Sequence, residues 1–177
     1  NLGDPYTAQL NRFYTREFFK LAKSHLEKNG ILIFGLNGSL NYVSKELRSL
    51  NGSLLNTLKD EFPNLFIIPG DTNLYLASNE YFEITPRIIA NRLRERNIST
   101  RLFSPDYIEY RLNPDRQRWF VESMGKLTHI RKNTDLQPSE VFYSLDYWNA
   151  MFSPRWRLFY RTIDKLDFKT VVVSIVL

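Results

Sequence analysis

The first 80 residues alternate between amphipathic segments with helical spacing and short apolar runs, and this alternation restricts the fold more than any other feature. Alternation of helix and strand is typical of an α/β sheet whose parallel strands are covered by helices. The last two apolar runs are separated by a Pro-Gly-Asp turn, so we expect a hairpin that adds one antiparallel strand at an edge. The predicted elements are helices at Thr15–Asn29 and Ser44–Phe62 and strands at Ile31–Leu36, Leu65–Ile68 and Leu74–Ala77.

The second half of the chain is mostly helical in pattern and rich in aromatic residues. Three regions follow from the composition: an α/β core at 1–84, a helical, aromatic and basic segment at 85–169, and an apolar run at 170–177. Two interpretations of the apolar run stay open, a complete strand or the first turns of a transmembrane helix. The mixed pattern at Arg101–Arg111 favours an extended segment. Helices are predicted at Thr85–Asn97 (with Pro86 in its first turn), Asp115–Met124, Phe142–Phe152 and Arg155–Leu166.

Composition excludes several kinds of site. The 177 residues contain no Cys, which rules out a disulfide framework, a thiolate nucleophile and a zinc site built on Cys. Two His leave little for a metal site, so none is predicted, although a site built on carboxylates stays open. The net charge of +5 is uneven, at −1 over residues 1–85 and +6 over residues 86–177. The basic half is either a solvated face or a surface for an anionic partner.

An Asp-Pro pair stands just before the first predicted helix, where a preceding strand of an α/β sheet would end. Ligands of open α/β sheets bind at the carboxyl ends of the strands. Asp4 at this place either binds a cationic amine and accepts a proton, or caps the turn.

The motifs in this region resemble a known family. Asp4-Pro5, Phe13-Tyr-Thr-x-Glu-Phe-Phe19 and Leu26-x-x-x-Gly30-Ile-Leu resemble the spermidine synthases and their aminopropyltransferase relatives. The stretch Thr7-Ala-Gln-Leu-Asn-Arg-Phe-Tyr-Thr15 and the segment Asn133-Thr-Asp-Leu-Gln-Pro138 are similar to the variants of that family fused to membrane-spanning segments. The resemblance covers roughly residues 1–153. It implies the C-terminal portion of a methyltransferase-like Rossmann domain, with a partial, mainly parallel sheet and a mostly helical C-terminal segment.

The resemblance also implies an activity, the transfer of an aminopropyl group from decarboxylated S-adenosylmethionine to a diamine. In the family's Asp-x-x-Asp-Pro motif the first Asp is the base and the second binds the far end of the diamine. Asn1 occupies the base position here, and Asp4 occupies the second. An amide is not a base at neutral pH, so either the base is lost or Asn1 has another role.

The donor site of the family belongs to the preceding half-domain, and no G-x-G-x-x-G occurs in this sequence. We therefore expect this chain alone to bind no nucleoside cofactor and to be inactive, with the upstream half-domain of the same protein as its partner. Tyr143 lies where the family places a tyrosine of the substrate pocket, or it belongs to the core. Asn133 and Asp135 either line the same pocket or form a loop turn.

The tail at 146–169 interleaves aromatic residues with Arg. We expect a packed amphipathic helix or an interfacial segment beside a membrane, ahead of a nucleic-acid surface. The predicted location is cytoplasmic and membrane-associated in the full-length protein. The strand Ile31–Leu36 is expected to expose an unpaired edge, which self-association or the run Val171–Leu177 would cover. A second hypothesis for the function is a non-catalytic domain that binds a polyamine or another partner beside a membrane region.

Overall fold

A computed structural model describes residues 3–101 and 103–152 of the chain, and these residues form three strands and seven helical segments. Asn1, the predicted helix at Arg155–Leu166 and the apolar run at 170–177 lie outside the described residues. The elements are α1 (Ala8–Asn11), α2 (Arg16–His25), β1 (Leu32–Asn37), α3 (Lys45–Glu61), β2 (Asn64–Ile68), β3 (Thr72–Ser78), α4 (Pro86–Glu95), α5 (Pro105–Arg111), α6 (Pro114–Met124) and α7 (Ser139–Phe152).

Hydroxyl side chains begin three of the predicted helices where the sequence places them. The hydroxyl oxygens of Thr15, Ser44 and Thr85 each accept a hydrogen bond from the backbone N–H three residues later, at 3.3, 3.1 and 3.2 Å. These bonds satisfy N–H groups that have no partner within the helix. The expected extended segment at Arg101–Arg111 is wrong over 105–111, because Ser104 caps α5 in the same way.

The sheet has the order β1-β3-β2, and β3 is antiparallel to both of its neighbours. The prediction of a mainly parallel sheet with a closing strand at its edge is therefore wrong, because β3 lies in the centre. β1 and β2 run in the same direction and are joined by α3, which leaves a gap one strand wide between them. The tight hairpin after β2 returns β3 into this gap, so the unit is a split βαβ. The architecture is mixed α/β.

The main core lies between one face of the sheet and the helices α2 and α3, and α7 packs on α3. α3 is buried along most of its length, so polar residues such as Asn51 and Thr57 lie inside the protein. Side chains alternate across a strand. The opposite face of β3 therefore carries Leu74, which lines a cavity beside α4 and α5.

β1 lies at an edge of the sheet. It pairs with β3 on one side, and no strand of the described residues pairs with its other side. Ile33, on the face away from the core, is 59% exposed. This agrees with the expected open edge, while its covering by self-association or by Val171–Leu177 stays a prediction.

Candidate functional site

The carboxylate of Asp4 lies at the carboxyl end of β1. The loop that precedes α1 turns at this residue, where the N–H of Tyr6 donates to the carbonyl of Asp4 at 2.8 Å. The side-chain amide of Asn37, the last residue of β1, donates a hydrogen bond to the Asp4 carboxylate. Asp4 is half-buried, and burial raises the pKa of its carboxyl group, while the hydrogen bonds from Asn37 act in the opposite direction.

A second carboxyl group, that of Glu140, is near enough to interact electrostatically with Asp4. Glu140 stands in the first turn of α7 and is fully buried. Neither of its carboxyl oxygens has a hydrogen-bond partner in the described residues. Burial raises the pKa of Glu140 well above its ordinary value, and the charge of Asp4 adds to the rise. The Ser53 hydroxyl lowers it in part, although its geometry does not make a hydrogen bond.

Two tyrosines interact electrostatically with these carboxyl groups. Tyr14 is fully buried, and its hydroxyl donates to the carbonyl of Gly3 at 2.9 Å. Burial raises the pKa of Tyr14, followed by the charges of Glu140 and Asp4. Burial and the charge of Asp4 also raise the pKa of Tyr147, so both phenols stay neutral at physiological pH. The site, here named the carboxylate cluster, consists of Asp4, Asn37, Tyr14, Glu140 and Tyr147.

A buried amide network supports the cluster from the α3 side. Asn51 is fully buried, and its side-chain nitrogen donates to the carbonyls of Asn37 and Leu47 at 3.0 and 2.8 Å. Its oxygen accepts from the amide of Asn73 at 2.9 Å and from the Tyr75 hydroxyl. Every polar atom of the Asn51 side chain therefore has a partner, which fixes the end of β1 against β3.

Asn133, for which the sequence left open a place in the pocket or in a loop turn, forms hydrogen bonds with separate segments of the fold. Its backbone N–H donates to the hydroxyl oxygen of Thr57 and its side-chain nitrogen to the oxygen of Asn11, both at 2.9 Å. Its side-chain oxygen accepts from the N–H of Glu140 at 3.3 Å. Asn133 therefore positions the first turn of α7, and with it Glu140.

The other predicted site residues lie in different surroundings. Asp135 is exposed, and its backbone N–H donates to the carboxylate of Glu17 at 3.0 Å. Tyr143 is half-buried against the core, and its hydroxyl oxygen accepts from the N–H of Arg131 at 3.4 Å. Substrate contact by either residue, and by Asn133, stays a prediction.

Of the five members of the cluster, only Asp4 was proposed as a site residue from the sequence. Glu140 carries a usable signal, since it is one of two charged residues in the otherwise apolar and polar helix α7 and stands seven positions before Tyr147. Residues seven apart lie on the same face of a helix. Asn37 carries a weaker signal, because its sequence context indicates only a turn.

The described residues contain no group of three or more side chains suited to hold a metal ion. Within the same residues, no helix combines the length and the apolar character needed to cross a bilayer. No protein-family model matches the chain, and no curated protein matches it either. The functional interpretation therefore depends on the geometry of the carboxylate cluster.

Proposed function

We propose that the carboxylate cluster binds a diamine, as the acceptor site of a spermidine synthase-like aminopropyltransferase. The observation that supports this most is the carboxyl group of Glu140, which is fully buried without a hydrogen-bond partner in the described part of the chain and interacts electrostatically with Asp4, the carboxylate held at the carboxyl end of β1. A buried carboxyl group without a partner is costly, and an ammonium group supplies both the charge and the donors that it lacks.

Each part of the cluster suits an amine. An ammonium group has three N–H donors, which match carboxylate oxygens. Tyr14 and Tyr147, which interact electrostatically with the carboxyl groups, add aromatic rings of the kind that attract a cation. A bound cation also lowers the pKa of Asp4 and Glu140, so both become charged as the ligand enters.

The reaction requires an uncharged amine nitrogen. In the proposed transfer, that nitrogen forms a bond to the propyl carbon of decarboxylated S-adenosylmethionine. The carbon–sulfur bond breaks, its electron pair stays on sulfur, and the nitrogen releases its proton to an ionised carboxylate of the cluster. The chain contributes orientation of the diamine through Asp4. The donor would be held by the upstream half-domain, of which this split βαβ unit would be the C-terminal continuation in a methyltransferase-like domain.

In a second candidate function, the chain is a non-catalytic domain that binds a polyamine next to a membrane region. The amide of Asn1 favours it, because the position that carries the base in the related family holds a group that takes no proton at neutral pH.

Titration of the full chain with putrescine by calorimetry tests the binding step. We expect saturable binding that Asp4→Asn weakens at least about tenfold, since a hydrogen bond to a charged group contributes ~1.5–3 kcal/mol. The matched control is Asp115→Asn, which removes an exposed carboxylate on α6. The absence of binding, or equal binding by the two variants, contradicts the proposal.

A second assay separates the two functions. The chain is incubated with putrescine and decarboxylated S-adenosylmethionine, alone and together with the upstream residues of its parent protein, and spermidine is measured. Spermidine formed only with the upstream residues supports the transferase, whereas putrescine binding without product under both conditions supports the binding domain.

A further inference from the structure

A cavity of about 420 Å³ lies on the face of the sheet opposite the main core, between the β2–β3 hairpin and the helices α4 and α5. It is separate from the carboxylate cluster, and none of its lining residues belongs to that site. Its volume is within the range of small-molecule sites in proteins. Most of its wall is aliphatic or aromatic, formed by Ile68, Leu74, Ile89, Phe103, Ile108 and Leu112.

One cation, Arg111, lines this cavity. Arg111 is half-buried at the end of α5, and its guanidinium lies against the hairpin turn. A Cβ atom built on Gly70 would stand 2.5 Å from Nη1 and 2.7 Å from Nη2 of Arg111. Within the described residues, the guanidinium makes no hydrogen bond and no ion pair. Asp71 also lines the cavity, but it is exposed and does not pair with Arg111.

The segment around the cavity is basic. Residues 86–111 contain six arginines and three acidic residues, a net charge of +3. A half-buried guanidinium that has no partner among the described residues favours an anion with two acceptor oxygens, which it binds with two parallel hydrogen bonds. The apolar wall favours an alkyl chain.

We propose that this cavity binds a single-chain amphiphile with an anionic head group, of the class of medium-chain alkyl carboxylates. The head group pairs with Arg111, and the tail lies along the wall formed by Leu74, Ile89 and Ile108. A second cavity of about 530 Å³ adjoins the first and shares Phe103 and Ile108 with it, which gives a longer tail room to extend. The site lies between a sheet and two helices, so it takes single molecules rather than the surface of a bilayer.

The test is a calorimetric titration of the full chain with octanoate and decanoate below their aggregation concentrations. Each added methylene is expected to tighten binding about fourfold, as for transfer of a methylene out of water. Decanol and decyltrimethylammonium replace the head group by a neutral and a cationic one. We expect decanoate to bind more tightly than decanol, and the cationic amphiphile to bind most weakly.

Two variants separate the head-group contact from the apolar wall. Arg111→Gln is expected to weaken decanoate binding at least about tenfold, the loss of a charge-assisted pair, and to leave decanol binding unchanged. Gly70→Ala keeps the charge of Arg111 but displaces its guanidinium, so it is expected to weaken decanoate binding as well. Arg87→Gln, an exposed arginine on α4, is the matched control. Unchanged decanol binding also shows that a variant is folded.

Three results overturn the proposal: no saturable binding of decanoate, equal decanoate affinity in Arg111→Gln and Arg87→Gln, or a cationic amphiphile that binds as tightly as decanoate. Phosphatidylglycerol vesicles form the last arm of the test. If the chain binds these vesicles and not free decanoate, the surface is a lipid contact and the cavity is not a ligand site.

Discussion

The side-chain amide of Asn37 donates a hydrogen bond to the carboxylate of Asp4, and this bond joins the loop before α1 to the last residue of β1. The bond favours the charged form of the Asp4 carboxyl group, whose pKa burial raises. The hydrogen bond from Asn37 therefore stabilises the charged carboxylate of Asp4, whereas burial destabilises it. The charged form is the one that would bind the proposed cation.

Asn37→Ala removes this donor, so we expect the pKa of Asp4 to rise further. NMR titration of the Asp4 carboxyl carbon measures the change. Asn41→Ala, at an exposed position four residues later, is the control. The same variant is expected to bind putrescine more weakly at mildly acidic pH, where more of Asp4 is protonated. An unchanged Asp4 titration would mean that the bond does not exist in solution.

Glu140→Gln is expected to change how stability depends on pH. The unfolded chain releases the Glu140 proton above about pH 4.3, whereas the folded chain keeps it because burial raises the pKa of this group. The contribution of Glu140 to the free energy of unfolding is therefore fully present below that pH. It is lost as the pH rises towards the pKa of Glu140 in the folded protein, by up to ~1.4 kcal/mol per pH unit. A glutamine side chain does not ionise, so the variant lacks this pH dependence.

We therefore expect the free energy of unfolding of Glu140→Gln to exceed that of the wild type increasingly from mildly acidic to neutral pH. Urea unfolding at several pH values measures both proteins. Asp4, whose pKa burial also raises, titrates in both proteins, but its charge interacts with Glu140, so the difference between the curves reports Glu140 together with this interaction. Parallel curves would show that Glu140 ionises normally in the folded protein.

The Asn51 side chain is expected to contribute strongly to stability. Asn51→Ala leaves the buried amide of Asn73 and the hydroxyl of Tyr75 without their acceptor. The expected loss is about 2–6 kcal/mol, since each of the two unsatisfied buried polar groups costs ~1–3 kcal/mol. Tyr75→Phe, which removes one donor and leaves Asn73 paired, is expected to cost less. Urea unfolding compares the two, and equal losses would refute the network.

The turn after β1 depends on close approach of the backbone. A Cβ on Gly38 would overlap the carbonyl oxygen of Gly70 and the side chain of Asn73. Gly38→Ala is therefore expected to destabilise the protein by at least ~1–3 kcal/mol, because the backbone atoms it meets cannot rotate away. Gly3→Ala is the control, since its nearest neighbour would stand 3.7 Å away. Thermal unfolding of both variants tests the difference.

The open edge of β1 predicts self-association. Ile33→Lys places a charge on this exposed strand, so we expect a smaller oligomer at the same concentration in sedimentation velocity experiments. Val121→Lys changes a residue of similar exposure, 62%, on α6 and is expected to leave association unchanged. A wild-type chain that is monomeric at every concentration, or equal behaviour of the two variants, would exclude association through this edge.

The sequence allowed accurate prediction of the features that depend on neighbouring residues. The starts of α2, α3 and α4 follow from Thr15, Ser44 and Thr85, whose hydroxyls bond to the backbone three positions later. These starts are local effects, and a local pattern contains the information that decides them. The contact of Asp4 with the end of β1 joins residues 33 positions apart, so the Asp-Pro turn does not predict it.

The central position of β3 could not be predicted, because it depends on pairing with β1 across about 40 residues of sequence. The burial of Asn51 was missed for the same kind of reason. α3 is covered by the sheet on one side and by α7 on another, so a polar face expected to meet water is inside the protein. The electrostatic interaction of Asp4 with Glu140 likewise requires α7 to pack on α3.

The hydrogen bond between Asn133 and Asn11 joins residues 122 positions apart, and it holds the helix that carries Glu140 against the segment that follows Asp4. Contacts at such separation form after local helices and hairpins, because closing a long loop costs entropy before any contact rewards it. During synthesis from the N-terminus, Asp4 emerges long before Glu140. A nascent or partly unfolded chain therefore has no complete carboxylate cluster, and the proposed binding of a cation would require both ends of the domain to have folded together.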